Sequence, residues 1–257
     1  MSTTTAAGAK TFIVTGASRG LGLAIAQILL RSSHNVFLVA RSDADMKRLK
    51  QENPGTVDYL AADLADFSTA SSIIQATVKA FGKVDGIVVN HGVLAPITKI
   101  SESSAEEWRR CYDINVFSAV ALMKEAIPEL RKTKGRVVFI SSGTAFGTIA
   151  AWGSYGTSKA ALNHFNAMLA AEEPDITSVA ISPGKVDTDM QKQIREEGQS
   201  GMTAAVHASF VDEHETGRLL PAELPGSVIA KLVERAPKDL SGKHFRWNQE
   251  DLADFQQ

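Results

Sequence analysis

Short apolar runs alternate with longer segments of helical periodicity along the whole chain, and this alternation restricts the possible folds. The runs suited to β-strands are 11–15, 35–40, 56–61, 84–90, 135–141, 176–182 and 243–247. The helical segments are 20–32, 43–52, 67–81, 104–131, 155–172 and 221–236. Strands that alternate with helices in this way form parallel sheets with helices on both faces. We therefore predict an α/β fold with a doubly wound parallel sheet of seven strands.

No repeat, low-complexity run or proline-rich linker divides the chain, so residues 10–257 are predicted to form a single domain. Residues 1–9 contain no apolar core and are expected to be a disordered tail rather than a signal peptide. The segment at about residues 187–220 has no strand pattern and combines apolar side chains with glycines. Long segments of this kind are often functional, so we predict a substrate lid, with an ordinary pair of packed helices as the alternative.

The composition is that of a globular enzyme rather than a nucleic-acid-binding or membrane protein. Lysine and arginine number 27 against 29 acidic residues, so no polyanionic partner is expected. The longest apolar stretch, residues 21–30, is far too short to cross a bilayer. The single cysteine, Cys111, excludes an intrachain disulfide and suits a reducing compartment, so we expect a cytoplasmic protein.

A tyrosine and a lysine four residues apart, Tyr155 and Lys159, stand in a segment with helical periodicity. Residues at this spacing share one helix face, and a nearby ammonium is expected to lower the pKa of a phenol. Ser142 stands at the end of the apolar run 136–142, where ligands bind in open α/β sheets. Together the three side chains favour proton transfer near neutral pH, whereas the tyrosine and lysine alone would more often be a surface pair.

A glycine-rich turn follows the first predicted strand and precedes the first predicted helix. Its glycines let the backbone turn tightly and approach a pyrophosphate, which the helix N-terminus attracts. Such a turn can exist without a ligand, but its place between strand and helix favours nucleotide binding. The predicted cofactor contacts here are Gly16, Ser18, Arg19, Gly20, Leu21 and Gly22.

The residues after the second and third predicted strands concern the choice of cofactor. A site selective for NAD usually has an acidic residue after the second strand, and here Ala40 and Arg41 stand there. Arg41 and Arg19 suit a 2′-phosphate, so NADP is predicted over NAD, with a merely solvated Arg41 as the alternative. Asp63, followed by Leu64, could accept a hydrogen bond from an adenine amino group or cap a following helix.

Further candidate residues follow the later strands. Asn90 can tie neighbouring strand ends together, and Gly92 permits close approach of the backbone. His91 has no evident carboxylate or serine partner, so we interpret it as a packed or water-bonded imidazole. Asn115 lies within the predicted helix 104–131, where it indicates either a local distortion or a solvated side chain.

Pro183 and Gly184 directly follow the sixth predicted strand, where proline and glycine change the direction of the backbone. The predicted cofactor contacts in this loop are Pro183, Gly184, Val186 and Thr188. Thr188 could hydrogen-bond a carboxamide. The six histidines are scattered without metal-ligand spacing, so no metal site is predicted.

With these motifs in their order and spacing, residues 10–247 resemble the short-chain dehydrogenase/reductase family. The motifs are Thr15-Gly16-x-x-x-Gly20-x-Gly22, Asn90-x-Gly92, Asn115, Ser142, Tyr155-x-x-x-Lys159 and Pro183-Gly184. Within the family, the runs 155–165, 171–174 and 183–196 resemble fungal sepiapterin-reductase-like carbonyl reductases, some of which are described as benzil reductases forming (S)-benzoin. One departure is His91, where the family usually has alanine.

The resemblance implies a Rossmann-type sheet in the strand order 3-2-1-4-5-6-7. It implies that Tyr155 protonates the substrate carbonyl oxygen while Ser142 hydrogen-bonds the same oxygen. Lys159 would hold the nicotinamide ribose, and Asn115 would anchor a water. A homodimer or homotetramer that pairs through the long helices is also implied.

The leading prediction is an NADPH-dependent carbonyl reductase that acts on a small, rather apolar ketone or dicarbonyl. One alternative is an NAD(P)-dependent alcohol or polyol dehydrogenase that works in the oxidative direction. Another is a nucleotide-sensing protein that keeps the fold without turnover. Such proteins can lose the catalytic tyrosine or lysine, whereas this chain retains Asn115, Ser142, Tyr155 and Lys159.

Overall fold

Seven parallel strands form one sheet at the centre of the molecule, in the order β3-β2-β1-β4-β5-β6-β7. The computed structural model describes residues 8–257, so most of the predicted tail lies outside the described residues. The strand order confirms the predicted doubly wound sheet. The strands are β1 (Thr11–Thr15), β2 (Asn35–Ala40), β3 (Val57–Ala61), β4 (Gly86–Val89), β5 (Arg136–Ile140), β6 (Thr177–Ser182) and β7 (His244–Arg246).

Helices cover both faces of the sheet, and the predicted ends agree with the observed ones to within two residues except where a predicted helix is interrupted. The helices are α1 (Gly20–Arg31), α2 (Ala44–Glu52), α3 (Thr69–Phe81), α4 (Ala105–Tyr112), α5 (Ser118–Thr133), α6 (Gly153–Glu172), α7 (Asp189–Glu197), α8 (Ala204–Glu215), α9 (Glu223–Arg235) and α10 (Ala253–Gln256).

Two apolar cores lie on opposite faces of the sheet. One packs α1 and α9 against it through residues such as Leu29 and Ile229. The other packs α3, α5 and α6 against it through residues such as Leu122 and Leu169. Because the central strands are buried on both faces, their sequences are continuous apolar runs rather than alternating ones.

The predicted helix 104–131 is interrupted, which corrects the expectation of one continuous helix. A π-helical turn, Asp113–Phe117, separates α4 from α5. Asn115 lies in this turn and is only 1% exposed. Of the two interpretations of this asparagine, the local distortion is the observed one, and the solvated side chain is excluded. π-Helical turns inside α-helices occur frequently at functional sites.

Residues 187–220 contain two helices, α7 and α8, rather than an irregular loop. Ile194, Met202 and Phe210 are buried in a third, smaller apolar cluster that also contains Trp152. The packed pair of helices, the alternative to a lid, therefore describes the conformation observed. Movement of this segment over a substrate stays a prediction.

Candidate active site

A cleft of about 1080 Å³ lies along the carboxyl ends of the strands. Open α/β sheets bind ligands at this edge, where the strand order reverses between β1 and β4. Every predicted site residue except Gly22 and Asn115 lines it. These residues are Gly16, Ser18, Arg19, Gly20, Leu21, Arg41, Asp63, Leu64, Asn90, Gly92, Ser142, Tyr155, Lys159, Pro183, Gly184, Val186 and Thr188.

The glycine-rich turn has the geometry that a pyrophosphate requires. Gly16 and Gly20 have φ angles of +65° and +54°, a conformation that residues with side chains rarely adopt. A Cβ on Gly22 would lie 2.3 Å from Gly16 O, so this position also requires glycine. No side chain caps α1, and its first turn contains no acidic residue. The free N–H groups at the start of α1 therefore suit a phosphate anion.

Asn90 fixes the turn to the neighbouring strand. Its Nδ2 donates to Thr15 O at 3.0 Å and to Gly16 O at 3.2 Å. Thr15 Oγ1 in turn accepts from the Asn90 backbone N–H at 2.9 Å. The predicted role of Asn90 in tying strand ends together matches these contacts.

The two arginines predicted to bind a 2′-phosphate have different surroundings. Arg41 is exposed beside the cleft. Arg19 Nε forms an ion pair at 2.9 Å with Asp189 Oδ2 in the first turn of α7, and both side chains are largely exposed. Asp63 Oδ1 accepts from Ala65 N at 3.0 Å. Because α3 begins only at Thr69, Asp63 does not cap that helix.

Tyr155 and Lys159 lie on one face of α6 and are both buried. The expectation that Lys159 lowers the pKa of Tyr155 was wrong for this structure. Burial raises the pKa of Tyr155 to about 12, and the hydroxyl of Ser142 offsets only part of this effect. Burial also lowers the pKa of Lys159 to about 8. Loss of water around each group is therefore the main cause of its shift, and Tyr155 keeps its proton at neutral pH.

Lys159 and Asn115 are held by backbone groups. Lys159 Nζ donates to Ile140 O at 2.8 Å. Asn115 Oδ1 accepts from Val93 N at 2.8 Å, and Asn115 Nδ2 donates to Val93 O at 2.9 Å. The Nδ2 of Asn115 also donates to Ser158 Oγ at 3.0 Å and to Cys111 Sγ at 3.3 Å. The π-helical turn thus connects the loop after β4 to α6.

His91 has partners at both ring nitrogens, which corrects the expectation that no serine lies near it. Its Nδ1 lies 2.8 Å from Thr15 Oγ1, and its Nε2 lies 2.7 Å from Ser118 Oγ. Because Ser118 donates to Ile114 O, we assign Nε2 as the donor to Ser118. Burial and the charge of Lys159 lower the pKa of His91 to about 3. His91 is therefore a neutral, packed imidazole.

Thr144 was not among the predicted site residues. It lies beside Ser142 in a short 3₁₀ turn. Thr144 Oγ1 lies 2.9 Å from Ser142 Oγ, and Thr144 N donates to the same oxygen at 3.3 Å. A threonine two residues after a strand-terminal serine is the one sequence signal that could have indicated this contact.

Apolar residues of the third cluster form the wall of the cleft beside Tyr155. The ring of Trp152 lies edge-on to the ring of Tyr155, with centroids 5.8 Å apart, and near Phe210 at 5.6 Å. Met190 and Ile194 of α7 line the same part of the cleft. This end of the cleft suits an apolar ligand.

Within residues 8–257, no cluster of three or more histidine, cysteine or acidic side chains has the arrangement of a metal site. Over the same residues, none of the helices combines the length and apolar character needed to span a membrane.

The family model for short chain dehydrogenase matches residues 10–199. The chain belongs to this family. It is therefore an oxidoreductase of a family that binds nicotinamide cofactors. The uncapped helix α1 and the glycine turn fit the pyrophosphate of such a cofactor.

Several known proteins are similar to this short-chain dehydrogenase over most of its length. A benzil reductase ((S)-benzoin forming) of Saccharomyces cerevisiae is 38% identical over 260 residues, which cover 96% of this chain and 99% of the relative. A benzil reductase ((S)-benzoin forming) of Bacillus cereus is 30% identical over 234 residues, covering 86% and 93%. The crystal structure of a Saccharomyces cerevisiae short-chain dehydrogenase/reductase has a TM-score of 0.94 at 41% identity, covering 96% of this chain and 100% of that one.

Proposed function

We propose that this enzyme is an NADPH-dependent carbonyl reductase that acts on a small, rather apolar ketone or dicarbonyl. The observation that carries the proposal is the group formed by the buried Tyr155 and Lys159 and the partly buried Ser142. This group lies beside an apolar wall in a cleft that continues into a dinucleotide groove. The two similar benzil reductases support the choice of a dicarbonyl.

Within this proposal, the residues of the chain have separate tasks. The glycine turn holds the pyrophosphate, Arg41 and Arg19 hold the 2′-phosphate, and Thr188 holds the carboxamide. The cofactor, when bound, supplies a hydride for the carbonyl carbon. Tyr155 donates its proton to the carbonyl oxygen, which the hydroxyl of Ser142 also contacts. Lys159 holds the ribose as an ammonium, and Asn115 keeps the π-helical turn in place.

The protonation of Tyr155 suits the proton transfer of reduction. Reduction needs the neutral phenol as an acid, and burial favours this form because it raises the pKa of Tyr155 to about 12.

Removal of the phenol hydroxyl tests the chemistry. Tyr155→Phe should bind NADPH nearly as well as the wild type but lower turnover of benzil by a factor of about 10²–10⁴, because the proton donor is lost. Turnover is measured as NADPH oxidation, and cofactor binding is measured separately by fluorescence titration. Tyr59→Phe, on β3 away from the cleft, is the control. Near-normal turnover by Tyr155→Phe would show that another group donates the proton.

Reversal of one charge tests cofactor choice. Arg41→Asp should raise KM for NADPH about tenfold or more and improve NADH relative to it, because a charge-assisted contact becomes a repulsion. KM is measured for both cofactors with the same ketone. Arg110→Asp, at an exposed residue of α4 outside the cleft, should change neither value. Unchanged values for Arg41→Asp would contradict the proposed 2′-phosphate site.

The cellular compartment and the oligomeric state are also proposals. We propose that the enzyme works in the cytoplasm as a homodimer or homotetramer. Partly exposed apolar side chains on α6 and at the start of α5 support association through these helices, since Val120 is 41% and Met168 43% exposed. Light scattering in solution that gives the mass of one chain would contradict it.

A further inference from the structure

The hydroxyl of Ser142 has one proton and two acceptor positions, and its neighbours decide where that proton points. Thr144 places two donors near this oxygen, its own hydroxyl at 2.9 Å and its backbone N–H at 3.3 Å. If both donate, the two acceptor positions of Ser142 are filled. The proton of Ser142 is then left for a third partner in the cleft.

The position of Thr144 is fixed by the fold. Thr144 belongs to the 3₁₀ turn Gly143–Ala145, which directly follows Ser142. The turn packs against the start of α6, where a Cβ on Gly156 would lie only 3.1 Å from Thr144 O. Gly156 follows Tyr155 in the chain, so the absence of a side chain at position 156 lets the turn approach the proton donor closely.

We propose that Thr144 is a positioning residue that holds the hydroxyl of Ser142 as a hydrogen-bond donor toward the substrate carbonyl oxygen. This role rests on the proposed function, in which Ser142 contacts that oxygen. Ser142 already favours the ionised form of Tyr155, as a hydroxyl that donates toward the phenol oxygen would. The opposite arrangement, in which Ser142 donates to Thr144, would use up the proton that the substrate needs.

The first test compares the loss of the Thr144 hydroxyl with the retention of the side-chain volume. Thr144→Val keeps the volume but removes the donor, and should lower both kcat and kcat/KM about threefold to tenfold, the effect of one hydroxyl hydrogen bond. Thr144→Ser keeps the donor and should restore most of the wild-type rate. Thr157→Val removes an exposed threonine hydroxyl that bonds only within α6, and should leave the rate unchanged.

The second test asks whether Thr144 acts through Ser142. In a Ser142→Ala background, Thr144→Val should produce no further loss, because the hydroxyl it orients is absent. A merely structural role for Thr144 would give the same loss in both backgrounds. Thermal melting of each variant shows whether the fold is intact.

Each contrary outcome has its own meaning. Faster turnover by Thr144→Val would show that Ser142 donates to Thr144 and would overturn the proposal. Independent losses in the double variant would show that Thr144 acts without Ser142, through the fold or through the substrate directly, and would also overturn the proposal. Normal turnover by Thr144→Val beside an impaired Ser142→Ala would contradict the positioning role alone. Normal turnover by Ser142→Ala would show that Ser142 does not assist the substrate oxygen and would overturn the proposal. Failure of the wild type to reduce any ketone or dicarbonyl would instead contradict the proposed function itself.

Discussion

Burial decides the protonation of the two ionisable side chains at the centre of the cleft. Tyr155 is 7% exposed and Lys159 only 3%, so water stabilises the charged form of neither. The pKa of Tyr155 rises to about 12, and that of Lys159 falls to about 8. At pH 7 both groups carry their protons, which is the state that the proposed reduction needs before a substrate arrives.

The buried ammonium of Lys159 should cost the protein stability at neutral pH. Its pKa is about 8 in the folded chain against an ordinary value of 10.5, so the unfolded chain binds more protons between these values. The cost is therefore complete below pH 8 and is relieved as the pH rises toward 10.5. Lys159→Met should raise the free energy of unfolding at pH 7 by on the order of 1–3 kcal/mol, less the lost hydrogen bond to Ile140.

Urea denaturation at pH 7 and pH 9.5 measures this effect. The gain from Lys159→Met should shrink at the higher pH, because the wild-type lysine has by then lost most of its charge. Lys124→Met, at an exposed position of α5, is the control and should show no such change with pH. A gain for Lys159→Met that is the same at both pH values would indicate better packing rather than relief of a buried charge.

Spacing along the chain predicted which residues meet but not how they titrate. The four-residue interval between Tyr155 and Lys159 placed both on one helix face, as the structure has them. It carried no information on burial, which reverses the expected shift in the tyrosine pKa. The contact of His91 with Ser118 was also not predicted, because sequence spacing does not show contacts between distant parts of the chain. The two residues lie 27 positions apart and meet only through the fold.

Among the helices, the interrupted one between β4 and β5 places a buried polar side chain next to α6. In the π-helical turn, Asn115 contacts the backbone of Val93 and the hydroxyl of Ser158. Asparagine within a helical pattern indicated a distortion, but it did not indicate the kind of turn. The kind of turn depends on partners in the loop after β4 and in α6, which the local sequence does not show.

Helices α7 and α8 cover the apolar end of the cleft, and the start of α7 contacts the glycine turn. Arg19 pairs with Asp189, and Thr188 Cγ2 lies 3.1 Å from the place of a Cβ on Gly20. A cofactor in the groove would meet both contacts, because these residues line it. The start of α7 is therefore the place where cofactor binding should affect the segment.

Hydrogen exchange tests whether this segment closes over a ligand. With NADP and a ketone bound, amides between residues 188 and 219 should exchange more slowly than in the free enzyme, because closure excludes water. Amides of α3, which contributes no residue to the cleft, serve as the internal control, and their exchange rates should not change. Equal exchange of residues 188–219 in both samples would mean that α7 and α8 are a rigid part of the fold.

At the scale of the whole molecule, the alternation of strands and helices predicted the fold almost completely. Seven predicted runs became seven parallel strands. The inner strands are apolar throughout because they are buried on both faces. The order of the strands follows from the family resemblance, and the cleft lies where that order reverses. The shape of the apolar end of the cleft could not be predicted from the sequence, because it depends on how α7 and α8 pack on Trp152.

The buried thiol of Cys111 has a practical consequence. It is the single cysteine of the chain, it is 1% exposed, and burial raises its pKa, so the reactive thiolate is disfavoured. A cysteine introduced at an exposed position such as Ser209→Cys on α8 would be the one thiol open to maleimide dyes. The native enzyme should therefore react little with such dyes. A fluorophore attached to α8 would report the movement of that helix in real time.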